Sequence, residues 1–295
     1  SVGSAIITVT TNAEPHLTAT CAVTVENLNS TQLSALIYDH NEAYWSDFTG
    51  GNPAGWQPVS AKTGNFLGGT VLSDVLYVHD GNHVYAYDAD SLQMRQDCGA
   101  MDAKWLWSDA APAPAIDDLF DMVVGICNDG TTIEMVSPED GNLQSWMPIG
   151  DFFTDPMAAI AYCGSGITDF AESIYNIHYD CPANFYYVLT EGRRLLKLSI
   201  CAYRDGTAYG LAMDELGHIG IQMPGVSTAA EQNYASMVYD TDTRFLLLTS
   251  CQDGAPAQFY VIDPETKLSF SAGDFGREAY PVVSMYQYPR TQELT

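Results

Sequence analysis

Val84-Tyr85-Ala86-Tyr87-Asp88-Ala89-Asp90-Ser91-Leu92-Gln93 is the stretch whose reading decides the fold. A short run of Val, Tyr and Ala leads into an Asp-rich turn, where aspartate is favoured because its carboxylate bonds its own downstream backbone. The stretch therefore reads as a strand, a tight turn and the start of a second strand. It returns as Ile133-Glu134-Met135-Val136-Ser137-Pro138-Glu139-Asp140-Gly141-Asn142-Leu143 and as Phe259-Tyr260-Val261-Ile262-Asp263-Pro264-Glu265-Thr266-Lys267-Leu268. A looser copy, Leu195-Leu196-Lys197-Leu198-Ser199, ends in Arg204-Asp205-Gly206. Upstream of each copy stands another turn: His79-Asp80-Gly81-Asn82, Asn128-Asp129-Gly130, Glu191-Gly192 and Gln252-Asp253-Gly254. Asp-Gly supplies the positive φ values of a tight hairpin. The repeating unit is strand, turn, strand, turn, strand, at intervals of about 40 to 75 residues, against roughly 40–50 for a four-stranded propeller blade.

A second phrase, small and apolar residues leading to Tyr or Tyr-Asp, precedes these hairpins. It reads Ser34-Ala35-Leu36-Ile37-Tyr38-Asp39, then Ala235-Ser236-Met237-Val238-Tyr239-Asp240, with weaker copies at Ala158–Tyr162 and Val282–Tyr286. The longest interval, residues 158 to 234, holds one blade with an insertion or nearly two. About 265 residues then give five to seven blades, six being favoured. Helical periodicity is confined to short windows at Ile116–Phe120 and Thr168–Ser173. With 24 Gly and 18 Tyr, the expected fold is an all-β propeller, a ring that limits exposed strand edges. The phrase at residues 84–93 resembles the outer hairpin of the broad PQQ- and YVTN-type bacterial propellers, a generic resemblance over most of residues 30–295.

Residues 5–11 and 17–25 alternate apolar and polar positions around the turn Asn12–His16 and read as a hairpin. The string Gly3-Ser4-Ala5-Ile6-Ile7-Thr8-Val9-Thr10-Thr11, with Thr18-Ala19-Thr20-Cys21-Ala22-Val23-Thr24-Val25, resembles the last two strands of a bacterial group 2 immunoglobulin-like domain. The resemblance covers about the first 26 residues. It implies an extracellular bacterial surface protein whose upstream strands lie outside this sequence; the alternative is an ordinary first hairpin of the main domain. The expected division is 1–28, closing strands of an Ig-like domain, and 29–295, propeller.

The 295 residues carry 37 Asp plus Glu against 11 Lys plus Arg, a net charge of −26. Nucleic acid is excluded as a partner, since phosphate neutralisation needs clustered cations. No apolar run of bilayer-spanning length occurs, so no membrane insertion is expected. The seven cysteines include no Cys-x-x-Cys pair, the usual zinc spacing, and several fall in apolar runs where a thiol acts as a small hydrophobe.

Candidate chemistry is sparse. His79 and His83 flank an Asp-Gly turn and could share a face, but no third ligand stands at motif spacing. The acidic doublets Asp88/Asp90, Asp117/Asp118, Glu139/Asp140 and Asp240/Asp242 suit turns better than a hydrolytic carboxylate pair or a Ca²⁺ site. Neither a nucleophile elbow nor a phosphate-binding loop is present, Cys163-Gly164-Ser165-Gly166 matching only superficially. The best binding signal is aromatic: Tyr44-Trp45-Ser46-Asp47-Phe48 with Trp56, and Trp105-Leu106-Trp107-Ser108-Asp109. The shared Trp-Ser-Asp reads as one repeated structural position. Trp45, Asp47, Trp56, Trp105, Trp107 and Asp109 are the candidate ligand-binding residues, rings supplying apolar area and carboxylates orienting hydroxyls or cations; the competing role is inter-blade packing. The expected function is a monomeric, extracellular, non-catalytic binding or adhesion module for a glycan or protein at one face of the ring. No catalytic residue is assigned, no metal site is expected, and no cofactor beyond Ca²⁺ is considered. A propeller polysaccharide hydrolase or lyase is the alternative, and a purely architectural spacer is the third reading.

Overall fold

The computed structural model describes residues 3–12, 17–25, 33–39, 42–47, 54–63, 68–72, 74–79, 83–100, 105–111, 122–127, 132–136, 143–148, 155, 157–172, 177–202, 209–220, 233–252, 258–274 and 282–287. All of its regular elements are strands. β1 (Gly3–Thr10) and β2 (Thr18–Val25) form an antiparallel two-stranded sheet of their own, from Gly3 opposite Val25 to Thr10 opposite Thr18. Next come β3 (Leu33–Asp39), β4 (Glu42–Asp47) and β5 (Ala54–Thr63). Three complete meanders follow: β6 (Gly68–Leu72) to β9 (Met94–Ala100) through β7 (Val75–His79) and β8 (His83–Asp88); β10 (Trp105–Ala111) to β13 (Leu143–Pro148) through β11 (Met122–Cys127) and β12 (Thr132–Val136); and β14 (Met157–Glu172) to β17 (Tyr209–His218) through β15 (Ile177–Thr190) and β16 (Arg194–Ala202). The last meander is β18 (Asn233–Tyr239), β19 (Leu246–Gln252), β20 (Gln258–Ile262) and β21 (Ser269–Asp274), after which β22 (Val282–Gln287) ends the described chain.

β22 joins none of its sequence neighbours. It pairs antiparallel with β3, Gln287 opposite Leu33 and Val282 opposite Ile37, completing a four-stranded sheet in the order β22-β3-β4-β5. The first strands of the five four-stranded sheets, β6, β10, β14, β18 and β22, neighbour one another in a closed cycle. The fold is thus an all-β propeller, and the described residues give it five blades, the lower end of the expected range rather than six. The interval 158–234 holds one blade, because β14 and β15 are 16 and 14 residues long. Thr168–Glu172, within a window that read as helical, lies in β14; residues 116–120 fall outside the described part.

The pairing also re-phases one repeat. Ala235–Tyr239, Ala158–Tyr162 and Val282–Tyr286 lie on first strands, as their shared phrase implies, but Ser34–Asp39 lies on β3, second in its sheet. Every copy of the outer-hairpin phrase falls where expected, between third and fourth strands, and every upstream turn between second and third.

A sheet with neighbours on both faces is buried on both. Leu76, Tyr77, Val78 and His79 of β7 are therefore all buried, and so are Val84, Tyr85, Ala86 and Tyr87 of β8. On the outermost strand β9, Met94, Arg95, Gln96 and Asp97 are exposed. Between the β14–β17 and β18–β21 meanders, Ala159, Ala161, Leu189, Leu195 and Ile219 pack against Met237, Leu246, Leu248 and Ile262. Burying a side chain of this size contributes about 1.5–3 kcal/mol, so such inter-sheet seams dominate the cohesion of the ring.

Candidate functional site

The expected ligand-binding residues are dispersed. Trp45 and Asp47 lie on β4 and Trp56 on β5; Trp45 stands opposite Gln57, and Trp56 opposite Ser46 on the adjacent rung. Trp105, Trp107 and Asp109 lie on β10, with an irregular register between the two tryptophans. The two Trp-Ser-Asp tripeptides are not one repeated position: the first is on the third strand of its sheet, the second on an innermost strand. Strand rank is set by distant pairing, which a tripeptide does not report. The side chains of these six residues lie outside the described part.

The histidine pair also separates. His79 stands opposite Val84, so His83 is one residue out of phase with it across the ladder. His79 is buried and His83 half-buried, stacked on Tyr85 at 6.0 Å between centroids. Among the described residues no three His, Cys, Asp or Glu side chains gather as metal ligands.

The acidic turns resolve into one recurring device. Asp88 Oδ1 accepts from the backbone N–H of Ser91 at 2.7 Å and of Asp90 at 3.2 Å. Asp240 accepts from the N–H of Asp242 and the hydroxyl of Thr243. Asp263 accepts from the N–H groups of Glu265 and Thr266 and the hydroxyl of Thr266. Four residues after each Asp, Leu92, Arg244 and Lys267 take positive φ of 57°, 61° and 62°, and each donates its N–H to the carbonyl of that Asp. The doublets Asp117/Asp118 and Glu139/Asp140 lie outside the described residues; at Asp88 and Asp240 the carboxylate is committed to the turn, the role the sequence assigned to these doublets in preference to catalysis.

Their titration follows. Hydrogen bonds from the Ser91 backbone, then from Arg95 and the Ser91 hydroxyl, hold Asp88 well below the usual carboxylate range. Arg95 also bonds Asp74 at 2.7 Å and lowers it, joining two turns at one end of the β6–β9 sheet. At Asp263 burial pushes upward, but the bonds from Thr266 and Glu265 outweigh it together and the carboxyl is lowered.

Among the described residues the largest departure from the repeat is the β14–β15 hairpin, which sequence spacing registered only as a long interval. Its ladder runs from Met157 opposite Thr190 to Glu172 opposite Ile177. β15 pairs with β16 only as far as Ala183 opposite Cys201. Among the described residues, the rungs from Ile167/Pro182 to Glu172/Ile177 continue beyond the last β15–β16 rung as a two-stranded arm. Strand alternation separates its two faces. Phe170 and Tyr179, directly opposed and edge-to-face at 5.8 Å, are buried with Cys181, Ala183 and Cys201. The other face is open: Ile167 is 62% exposed, and Asp169, His178 and Asp180 are exposed beside it. His178 Nδ1 lies 3.2 Å from both carboxylate oxygens of Asp169, while Asp169 and Asp180 stand directly opposite each other. Like charges so placed are destabilising, and the imidazole next to them offsets part of that when protonated.

At the base of the arm the chain bulges between Tyr162 and Gly164, whose φ is +139°. Below it Tyr187 meets Tyr239 of the next sheet at 5.6 Å between rings. Burial, then the neighbouring Cys163 and Tyr239, push the Tyr187 hydroxyl up to about 12, so it stays protonated and available as a donor across the physiological range. Lys197 Nζ sits 4.7 Å over the Phe185 ring, a cation–π contact between β16 and β15 below the arm.

No protein-family profile and no curated protein matches the chain. Solved structures resemble it in shape. One is a chain of the crystal structure of a nidogen/laminin complex, 10% identical, with 87% of this chain and 97% of that chain covered at a TM-score of 0.42. Another is the WD40 domain of SCAP from fission yeast, 10% identical over 86% of this chain and 55% of that one, TM-score 0.36. A third is apo AztD from Citrobacter koseri, 11% identical over 86% and 62%, TM-score 0.32.

Proposed function

We propose that this chain is a non-catalytic binding module of a bacterial surface protein, monomeric and extracellular, engaging a macromolecular ligand through the β14–β15 arm. The observation that carries the reading is the two-faced arm. One face is buried and holds it in place, while the other presents Ile167 to solvent beside Asp169, His178 and Asp180. Such an extension adds nothing to ring closure, since β6 and β18 line the ring with 5 and 7 residues. Single exposed apolar side chains are ordinary; what supports the reading is the position of Ile167 on the open face of the arm, beside three titratable side chains. An apolar centre flanked by carboxylates favours a protein surface bearing basic and apolar groups. A glycan held at the tryptophan positions is the other ligand class, and an Ig-like role for β1–β2 belongs to the same surface-protein reading.

The test is binding of the purified chain to arrayed extracellular proteins and arrayed glycans, with Ile167→Asp and Trp107→Ala compared in parallel. Weakening of protein binding at least tenfold, about 1.4 kcal/mol, by I167D alone is the expected result. Glycan binding lost only with W107A would move the site to the ring. Hydrolysis of a polysaccharide, abolished by a single carboxylate substitution, would overturn the non-catalytic reading.

A further inference from the structure

Cys181 and Cys201 are the feature that neither the ring nor the exposed arm face uses. Cys201 stands opposite Ala183 on the last rung that β15 shares with β16, and Cys181 lies two residues along β15, on the same face as Ala183. The thiols are thus diagonal neighbours across the ladder. Both side chains are fully buried in one cluster with Phe170, Tyr179 and Ala183, both are reduced thiols, and Cys181 Sγ donates to the Pro182 carbonyl at 3.4 Å. A diagonal pair has Cα atoms roughly 7–8 Å apart, just past the usual span of a disulfide, so closure asks for a shift of about an ångström on the last rung that β15 and β16 share. From this geometry we infer that Cys181 and Cys201 are a disulfide site, one that locks the root of the β14–β15 arm to β16 when the chain folds in an oxidising environment.

The oxidant is an external disulfide of the glutathione class. One cysteine thiolate attacks a sulfur of the reagent, forming a mixed disulfide and expelling one reagent thiolate. The second cysteine thiolate attacks the protein sulfur of that mixed disulfide and expels the other. Both cysteine sulfurs are oxidised, the reagent disulfide is reduced to two thiols, and the two cysteine protons end on those leaving groups. Burial pushes both thiols up, so exchange belongs to the folding chain, before Phe170 and Tyr179 close over the pair. Cys98, buried and pushed up to about 11, and half-buried Cys163 lie elsewhere and serve as controls. The site rests on the extracellular reading only for where oxidation would occur in the organism.

The experiment refolds the full chain with oxidised or with reduced glutathione, alkylates it and maps its peptides by mass spectrometry. The expected result is one dominant cross-linked peptide pair joining residues 181 and 201, two hydrogens lighter than the reduced pair. A Tm about 5 °C or more above that of the reduced protein should accompany it, as for closure of a loop of this size. Cys181→Ser and Cys201→Ser should each abolish both effects, while Cys98→Ser and Cys163→Ser keep them. If either single variant fails to fold, the Cys181→Ala/Cys201→Ala double variant takes its place, and loss of the Tm increment is the readout. Both peptides alkylated after oxidative refolding, or scrambled pairing without preference, would overturn the inference. Recovery from the host with both thiols reduced, yet cross-linking in glutathione, would overturn the extracellular reading and leave the disulfide site standing.

Discussion

Asp155 and Gly192 show how single residues fix the blade corners. Asp155 accepts from the Thr190 hydroxyl at 2.6 Å and from the Gly192 N–H at 2.9 Å, and Thr190 in turn accepts from the Arg194 N–H. A Cβ built on Gly192 would run into the Asp155 carboxylate. Gly192→Ala should therefore cost about 1–3 kcal/mol through lost bonds to a partly buried carboxylate, read as a lower urea midpoint at unchanged m-value. The turn aspartates predict the response to acid. Asp88 and Asp263 are lowered in the folded chain, so their stabilisation is fully present above the unfolded carboxylate value, near 4, and is lost as pH falls through the lower folded values. Asn keeps the turn acceptor but not the charge. The Tm gap between the wild type and the Asp88→Asn/Asp263→Asn variant should be largest above pH 5 and should close toward pH 2; a gap that widens in acid would refute the assignment.

Among the elements, β22 matters most, because it supplies the innermost strand of a sheet whose other strands come from the start of the ring. Alternate N–H groups of an antiparallel strand face its partner. Of Met285→Pro and Tyr286→Pro, one removes a bond to β3 and the other does not. The damaging one should cost about 1–3 kcal/mol and lower Tm well below that of the other; equal effects would argue against the β22–β3 register. Strand rank also explains which parts of the fold were legible. The outer hairpins could be read from residues 84–93 and their copies because an Asx turn and its flanking strands lie within about ten residues, a local signal. Ser34–Asp39 was mis-phased because its neighbour, β22, lies at the other end of the chain. The Trp-Ser-Asp pair misled for the same reason. The arm was hidden because a strand that continues past its sheet keeps the same alternation as one that does not.

For the whole molecule, the charge of −26 gains a partial explanation. Recurrent turns each hold an aspartate against backbone N–H groups, and Asp88, Asp240 and Asp263 are of this kind. Others, such as Asp169 and Asp180, lie on the open arm face, where they give it a negative field. Among the described residues the scarce arginines are used in ion pairs such as Arg95 with Asp74 and Asp88, and Arg194 with Glu215.

The seam between β3 and β22 has a mechanical meaning. Gln287 faces Leu33, so the chain enters β3 and leaves β22 at the same rung, and the segments on either side continue from it. Tension drawn between those segments would load the seam one hydrogen-bonded rung at a time, peeling it open rather than shearing all its rungs together. Tension borne through one of them alone would leave the seam unloaded. For a module held at a cell surface and pulled through a bound partner, anchoring on a single side of the ring is thus the arrangement that spares its closure.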